Sequence, residues 1–175
     1  IRDRDKEIYK GLSDTDALTG LFNRRAFQAA VDETLLKRIS GVFIFIDVDN
    51  FKNYNDKYGH ANGDLCLKHF ADAMKKCFPR DSILGRYGGD EFVVYIKNAA
   101  SDDAHRYMDE FQREISHLMM SGGEYVTVSA SAGGVAFIGE GEDFVSLCRS
   151  ADNMLYDVKR NGKGTFKIKG AKKAC

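Results

Sequence analysis

The chain has 175 residues, 43% of them hydrophobic and 30% charged, which is the balance of one ordinary soluble domain with a real core and excludes a disordered or membranous chain. Its 26 lysines and arginines equal its 26 aspartates and glutamates. No global basic field therefore points to nucleic acid or an anionic membrane, although one cleft for a polyphosphate needs no net charge.

The first residues, 1–12, read as the end of a charged linker helix, with Ile1 and Ile8 one heptad apart, too little for a coiled coil. The chain begins at Ile1 without methionine, as expected of a fragment whose upstream sensor part is missing. No run is apolar enough to span a membrane and the N-terminus is not signal-like. Ser13–Gly20 is rich in turns. Asn23 then caps a helix to about Ser40, with Phe27, Ala30, Val31, Thr34 and Leu35 on one side, and Gly41 ends it. Val42–Ile46 is continuously apolar, the pattern of a strand buried on both faces, and it finishes in Asp47-Val48-Asp49. A helical turn over Phe51–Lys57 leads to Gly59. A helix from about Asn62 to Phe78 follows, with Leu65, Leu67, Phe70, Ala73, Met74 and Cys77 in helical period, and Pro79 stops it.

Two strand-like runs, Asp81–Tyr87 and Phe92–Ile96, flank Gly88-Gly89-Asp90-Glu91. Paired glycines predict a tight hairpin turn with positive φ. Ser101 is expected to cap a helix carrying Ala104, Tyr107, Met108, Phe111, Ile115 and Leu118, closed by Gly122-Gly123. Tyr125–Ile138 predicts one or two strands with a glycine break, Phe144–Arg160 a helix stopped by Asn161-Gly162, and Thr165–Ile168 a last short strand. The order is that of an α+β, ferredoxin-like β-α-β-β-α-β core. It predicts a mainly antiparallel sheet around which the helices sit, packed on one face. Residues 13–170 make the domain and 171–175 a tail. The four cysteines, Cys66, Cys77, Cys148 and Cys175, match no C-x-x-C spacing; they read as buried small hydrophobes plus a loose terminal thiol, in a reducing, cytoplasmic setting.

The acids carry the chemistry. Asp47 and Asp49 lie two apart on an extended segment and so share a face. Acids ending a wholly apolar strand are costly unless that end is wet or holds a cation. The predicted topology brings Asp90 or Glu91 beside Asp47, a donor set suited to a hard divalent ion that keeps phosphate oxygens in its shell. Solvated strand ends are the plain alternative. The turn Val48–Phe51 can offer backbone N–H groups to a triphosphate, and Lys52 adds a charge. Asn55 and Asp64 can read a base edge or simply face solvent. Lys159 and Lys163 can reach phosphates or complement a helix dipole.

Taken together these segments resemble the GGDEF family, the diguanylate cyclases, over about residues 12–169. The resemblance rests on Asp16-Ala17-Leu18-Thr19-Gly20-Leu21-Phe22-Asn23-Arg24-Arg25, on Phe45-Ile46-Asp47-Val48-Asp49-Asn50-Phe51-Lys52 with Asn55-Asp56, Gly59-His60 and Gly63-Asp64, and on the intact Arg86-Tyr87-Gly88-Gly89-Asp90-Glu91-Phe92. A closing block, Ala151-Asp152-Asn153-Met154-Leu155-Tyr156, Lys159-Arg160 and Gly162-Lys163, completes it.

The resemblance implies condensation of two GTP into the second messenger cyclic di-GMP with release of two pyrophosphates. Two domains would face each other as a homodimer of half-sites. It implies magnesium (Mg2+) or manganese on Asp47, the Val48 carbonyl and Asp90; catalysis by Asp90, the family's proposed proton acceptor, with Glu91 beside it; guanine read by Asn55 and Asp64; and phosphates held by Lys52, Lys159 and Lys163. Asn50, Phe51, His60, Gly88 and Gly89 fall in the same substrate-binding segments, and by family likeness the glycines let the nucleotide lie against backbone. No nucleic acid is implied, and any membrane anchor belongs to the missing upstream part.

Two departures matter. Pro79-Arg80-Asp81-Ser82 stands where active members often carry the Arg-x-x-Asp product site, and Lys163 stands where arginine is common, keeping the charge without the bidentate fork. Feedback inhibition through the first site is therefore not expected. The competing readings are a silent GGDEF domain that binds GTP or serves as a dimerisation module, and, more distantly, another palm-type nucleotidyl enzyme.

Overall fold

A computed structural model describes residues 13–170; the expected linker helix and the 171–175 tail lie outside the described residues. The elements in chain order are β1 (Phe22–Asn23), α1 (Arg24–Leu36), β2 (Gly41–Val48), α2 (Phe51–Tyr58), α3 (His60–Cys77), β3 (Ile83–Arg86), β4 (Glu91–Lys97), α4 (Ser101–Ile115), β5 (His117–Met119), β6 (Tyr125–Thr127), β7 (Ala130–Phe137), α5 (Phe144–Arg160) and β8 (Phe166–Lys169).

One sheet runs β1-β3-β4-β2-β7-β8. Its four inner strands are antiparallel to their neighbours, and β1 and β8 add on in parallel at the edges. The inner order is that of a ferredoxin-like unit, as the sequence predicts. Helices on one face is the part that does not hold. Val42, Ile44 and Ile46 pack with Phe70 and Met74 of α3 and Phe111 of α4. Phe43 and Phe45, of opposite parity, pack with Phe27 of α1 and with Phe144 and Leu147 of α5. The crossover helices cover one face and the flanking helices the other, which is why β2 is apolar at both parities. Phe43 meets Phe27, Phe45 and Phe144 edge-on; truncating it to alanine costs about 3–5 kcal/mol.

Several boundaries move for local reasons. The Asn23 side chain accepts from the Ala26 amide at 3.0 Å, the expected cap, but α1 stops at Leu36 and the chain turns out through Arg38 at φ 55°. Ala100, not Ser101, precedes α4; its amide donates to the Asp103 carboxylate at 3.1 Å. Leu118 keeps helical period but belongs to β5, which pairs with β6 in a separate two-stranded ribbon. The break before β7 falls at Val128-Ser129, and Gly133-Gly134 sit inside the strand opposite Phe45 and Ile44. A Cβ at Gly133 would lie 2.1 Å from the Leu155 amide nitrogen, so that glycine lets α5 lie on the sheet and brings Lys159 to the end of β2. Burial raises the thiols of Cys66 to about 12 and of Cys77 and Cys148 to about 11, leaving them unreactive. Among the described residues no helix is long and apolar enough to cross a membrane.

Candidate active site

The register of β2 with β4 sets Asp47 directly opposite Glu91, and the Val48 amide donates to the Asp90 carbonyl at 3.1 Å. The strand-end acid and the signature turn are thereby joined as the topology predicts. The turn closes through the amides of Tyr87 and Gly88, which donate to the Glu91 carbonyl at 2.8 and 3.3 Å. Neither Gly88 nor Gly89 takes a positive φ, so conformational freedom is not the reason for them. A Cβ at Gly88 would meet Glu91 Oε2 at 2.6 Å, whereas one at Gly89 would meet nothing within 4 Å. At Gly88 the Glu91 carboxylate end lies where a Cβ would be, and the space at Gly89 is open.

The turn is tied to the start of the domain. Arg86 donates from Nε and Nη2 to the Gly89 carbonyl at 3.1 and 2.7 Å, and from Nη1 to both Asp16 oxygens at 3.2 Å. Burial pushes the Asp16 carboxyl up. The Thr19 hydroxyl and amide and the Arg86 guanidinium outweigh it, holding Asp16 below the usual carboxylate range.

Asp47 is differently placed. Its side chain is 14% exposed and pairs with Lys159 Nζ at 3.0 Å. Burial still wins over that cation, helped by the charges of Asp90 and Asp49, and the carboxyl lies above the usual range. Glu91 is raised too, by burial first and then by Asp47 and Asp90. Asp49 shares strand parity with Asp47 but is engaged elsewhere. It accepts from Ser129 Oγ at 2.7 Å, Ser131 Oγ at 2.6 Å and the Gly164 amide at 3.0 Å.

The amides expected to cradle phosphate divide in the same way. Val48 and Asp49 donate to Asp90 and Ser129 carbonyls, while α2 starts without a side-chain cap after Asn50 in a left-handed conformation, φ 54°. The open amides are thus those of the first turn of α2, around Phe51 and Lys52. Lys163 donates to the Asn50 side chain at 2.9 Å, bringing two predicted substrate contacts together. Lys52, His60 and Asp64 are exposed. Asn55 lies against Gly63, and its Oδ1 is buried without a hydrogen-bond partner.

Two clefts lie near this end of β2, and only the first includes a residue of the turn. One of about 280 Å3 lies between it and α5 and includes Tyr87, Glu91, Arg149 and Asp152. The other, about 260 Å3, lies beside α2 and includes Asp49, Asn50, Asn53 and Lys57. Arg86, Ser129, Ser131 and Asp152 were not picked out as site-builders from sequence. Arg86 and Asp152 carried a signal, from their places at the head of the signature and in the closing block; the serines lie far along the chain from the acid they hold.

Acids at the end of the central strand of a ferredoxin-like sheet, with a glycine–acid turn paired beside them, make this strand end the candidate site. Residues 13–165 match the family described as diguanylate cyclase, GGDEF domain, and the chain belongs to that family. It is 33% identical over 166 residues to the cyclic di-GMP phosphodiesterase PdeR of Escherichia coli strain K12, covering 93% of this chain and 25% of that protein. It is 34% identical to the response regulator PleD of Caulobacter vibrioides over 91% of this chain and 37% of that protein. The crystal structure of the GGDEF domain of DgcB from Caulobacter crescentus, in complex with c-di-GMP, matches with a TM-score of 0.82 at 28% identity, covering 90% of this chain and 96% of that one. The chain spans well under half the length of the two curated relatives.

Proposed function

We propose that this domain is a diguanylate cyclase that joins two GTP into cyclic di-GMP, as a homodimer of half-sites with a divalent ion. The observation that carries this is the Asp47–Glu91 register with the Val48 amide on the Asp90 carbonyl, since it gathers three acids at one strand end. The residues fit a hard cation: Asp47 is mostly buried and its only described cation partner is Lys159. Among the described residues no three His, Cys, Asp or Glu side chains are placed together to hold a metal ion. Two carboxylates and the Val48 carbonyl are therefore an incomplete set, which substrate phosphate would complete, as suits magnesium or manganese. Bound there, the ion would neutralise phosphate charge and polarise the α-phosphoryl group.

The chain's own groups do the rest. The first amides of α2, with Lys52, Lys159 and Lys163, hold the phosphates. Asn55 and Asp64 read guanine, whose edge offers the N–H donors that a carboxylate and a carboxamide oxygen accept; His60 borders them. The 3′-hydroxyl of one nucleotide attacks the α-phosphorus of the other, its proton passes to a carboxylate, and pyrophosphate leaves. Repeating this in the other direction closes the ring. Of the two acids in the turn, Glu91 is the better acceptor, because a metal-bound Asp90 is a weak base. Gly89 leaves the face along which substrate approaches.

The test is incubation with GTP and Mg2+, followed by chromatography for cyclic di-GMP, with the chain alone and fused to a dimerising coiled coil. Product in the dimer that disappears in Asp90→Ala supports the reading. No product under forced dimerisation sinks it in favour of a GTP-binding or dimerisation module. With Pro79-Arg80-Asp81-Ser82 in place of Arg-x-x-Asp, added product is expected not to inhibit through that site.

A further inference from the structure

Gly63 lies in the first turn of α3, buried, where glycine costs about 1 kcal/mol relative to alanine. Its φ is not positive, so the backbone does not require it. Space does. A Cβ built at Gly63 would stand 1.8 Å from Asn55 Oδ1 and 2.9 Å from Asn55 Cγ, and its three nearest atoms all belong to that carboxamide. The glycine makes room for one side chain. That side chain repays nothing to the fold in hydrogen bonding, because Oδ1 is buried and unpartnered, a state that costs about 1–3 kcal/mol.

The helix corner is held in place beside Asn55. Asn62 pins it, donating from Nδ2 to the Tyr58 carbonyl at 2.9 Å and accepting at Oδ1 from the Ser121 amide and hydroxyl at 3.1 and 3.2 Å. What must yield is the short Asn55 side chain, which would swing off α3 at Gly63, the residue before Asp64. We infer that Gly63 is a positioning residue for nucleotide selection: it holds open the space in which the Asn55 carboxamide waits for a base edge. The inference rests on the guanine reading given above. Folding favours alanine at this position, and recognition favours glycine.

The experiment compares Gly63→Ala, Asn55→Ala and the double variant of the whole chain by thermal unfolding, by titration with GTP and with ATP, and by the NMR resonances of the Asn55 side-chain amide. Gly63→Ala is expected to keep or gain stability, to move the Asn55 amide resonances, and to cut the preference for GTP over ATP about tenfold, the scale of one hydrogen bond. Asn55→Ala should do the same to the preference, and the double variant no more. If Gly63→Ala fails to fold but the double variant folds, the clash is with Asn55 as inferred. Unmoved Asn55 resonances, additive losses in the cycle, or a double variant that also fails to fold would each overturn the inference. A preference unchanged in Asn55→Ala, with the resonances moved in Gly63→Ala, would instead remove the guanine reading and leave the placement of Asn55 by Gly63 standing.

Discussion

Asp47 and Asp49 are the same residue type, two positions apart at the end of one strand, and the molecule uses them in opposite ways. Asp49 is saturated by two hydroxyls and an amide that bind β7 and the loop after α5 to β2. Asp47 has one lysine, partial burial and two like-charged neighbours, and its carboxyl is raised. Hydrogen bonds to a charged group contribute about 1.5–3 kcal/mol each when well made. Asp47 has no such set of donors among the described residues, and on the function proposed above its remaining acceptor capacity goes to the metal ion.

The largest expected effect comes from removing that capacity. Asp47→Asn should cut cyclic di-GMP formation about a hundredfold or more while raising the midpoint of thermal unfolding, since a neutral group suits the site better; a fall in both would erase the contrast with Asp49. Asp49→Ala should behave in reverse, with a stability loss of about 2–3 kcal/mol, roughly 5–10 °C in midpoint, measurable by calorimetry on the chain without nucleotide. Unchanged stability there would show that its three bonds are incidental. Arg86→Lys keeps a charge beside Asp16 but cannot grip Asp16 and the Gly89 carbonyl together. About 1 kcal/mol should be lost, with faster hydrogen exchange at Tyr87 and Gly88; unchanged exchange would detach the turn from the N-terminal loop.

The smallest effect is the pH dependence. Asp16 is lowered from 3.8, so its contribution is present above that value and is lost as pH falls through its folded pKa. Asp47 and Glu91 are raised from 3.8 and 4.5, so their destabilisation is complete above their folded pKa values and is relieved as pH falls through them. Unfolding across a pH series should therefore show greatest stability in mildly acidic solution. Asp47→Asn should flatten the neutral side of that curve.

Much of this was legible in the chain. The unbroken run Val42–Ile46 announced a doubly covered strand, and α5 falls on its sequence bounds, ended by the expected Asn161-Gly162 stop and capped at its start by Asp143. Where local signals misled, a distant neighbour had overruled them. Gly133-Gly134 read as a break but lie within β7, because α5 crosses there. Leu118 kept helical period yet pairs in a ribbon with β6. Gly88 and Gly89 read as positive-φ residues but are not, and at Gly88 the Glu91 carboxylate end lies where a Cβ would be.

From the sequence alone came the identity of the acids, the ferredoxin-like order of elements and the family, because these rest on residue types and short spacings. Which aspartate is saturated by the fold and which is left with a single ion pair was decided only in three dimensions. The donors that saturate Asp49 lie 80, 82 and 115 residues further along the chain, beyond any local pattern. The burial that raises Asp47 is supplied by a sheet and a helix that meet only when the whole domain has folded.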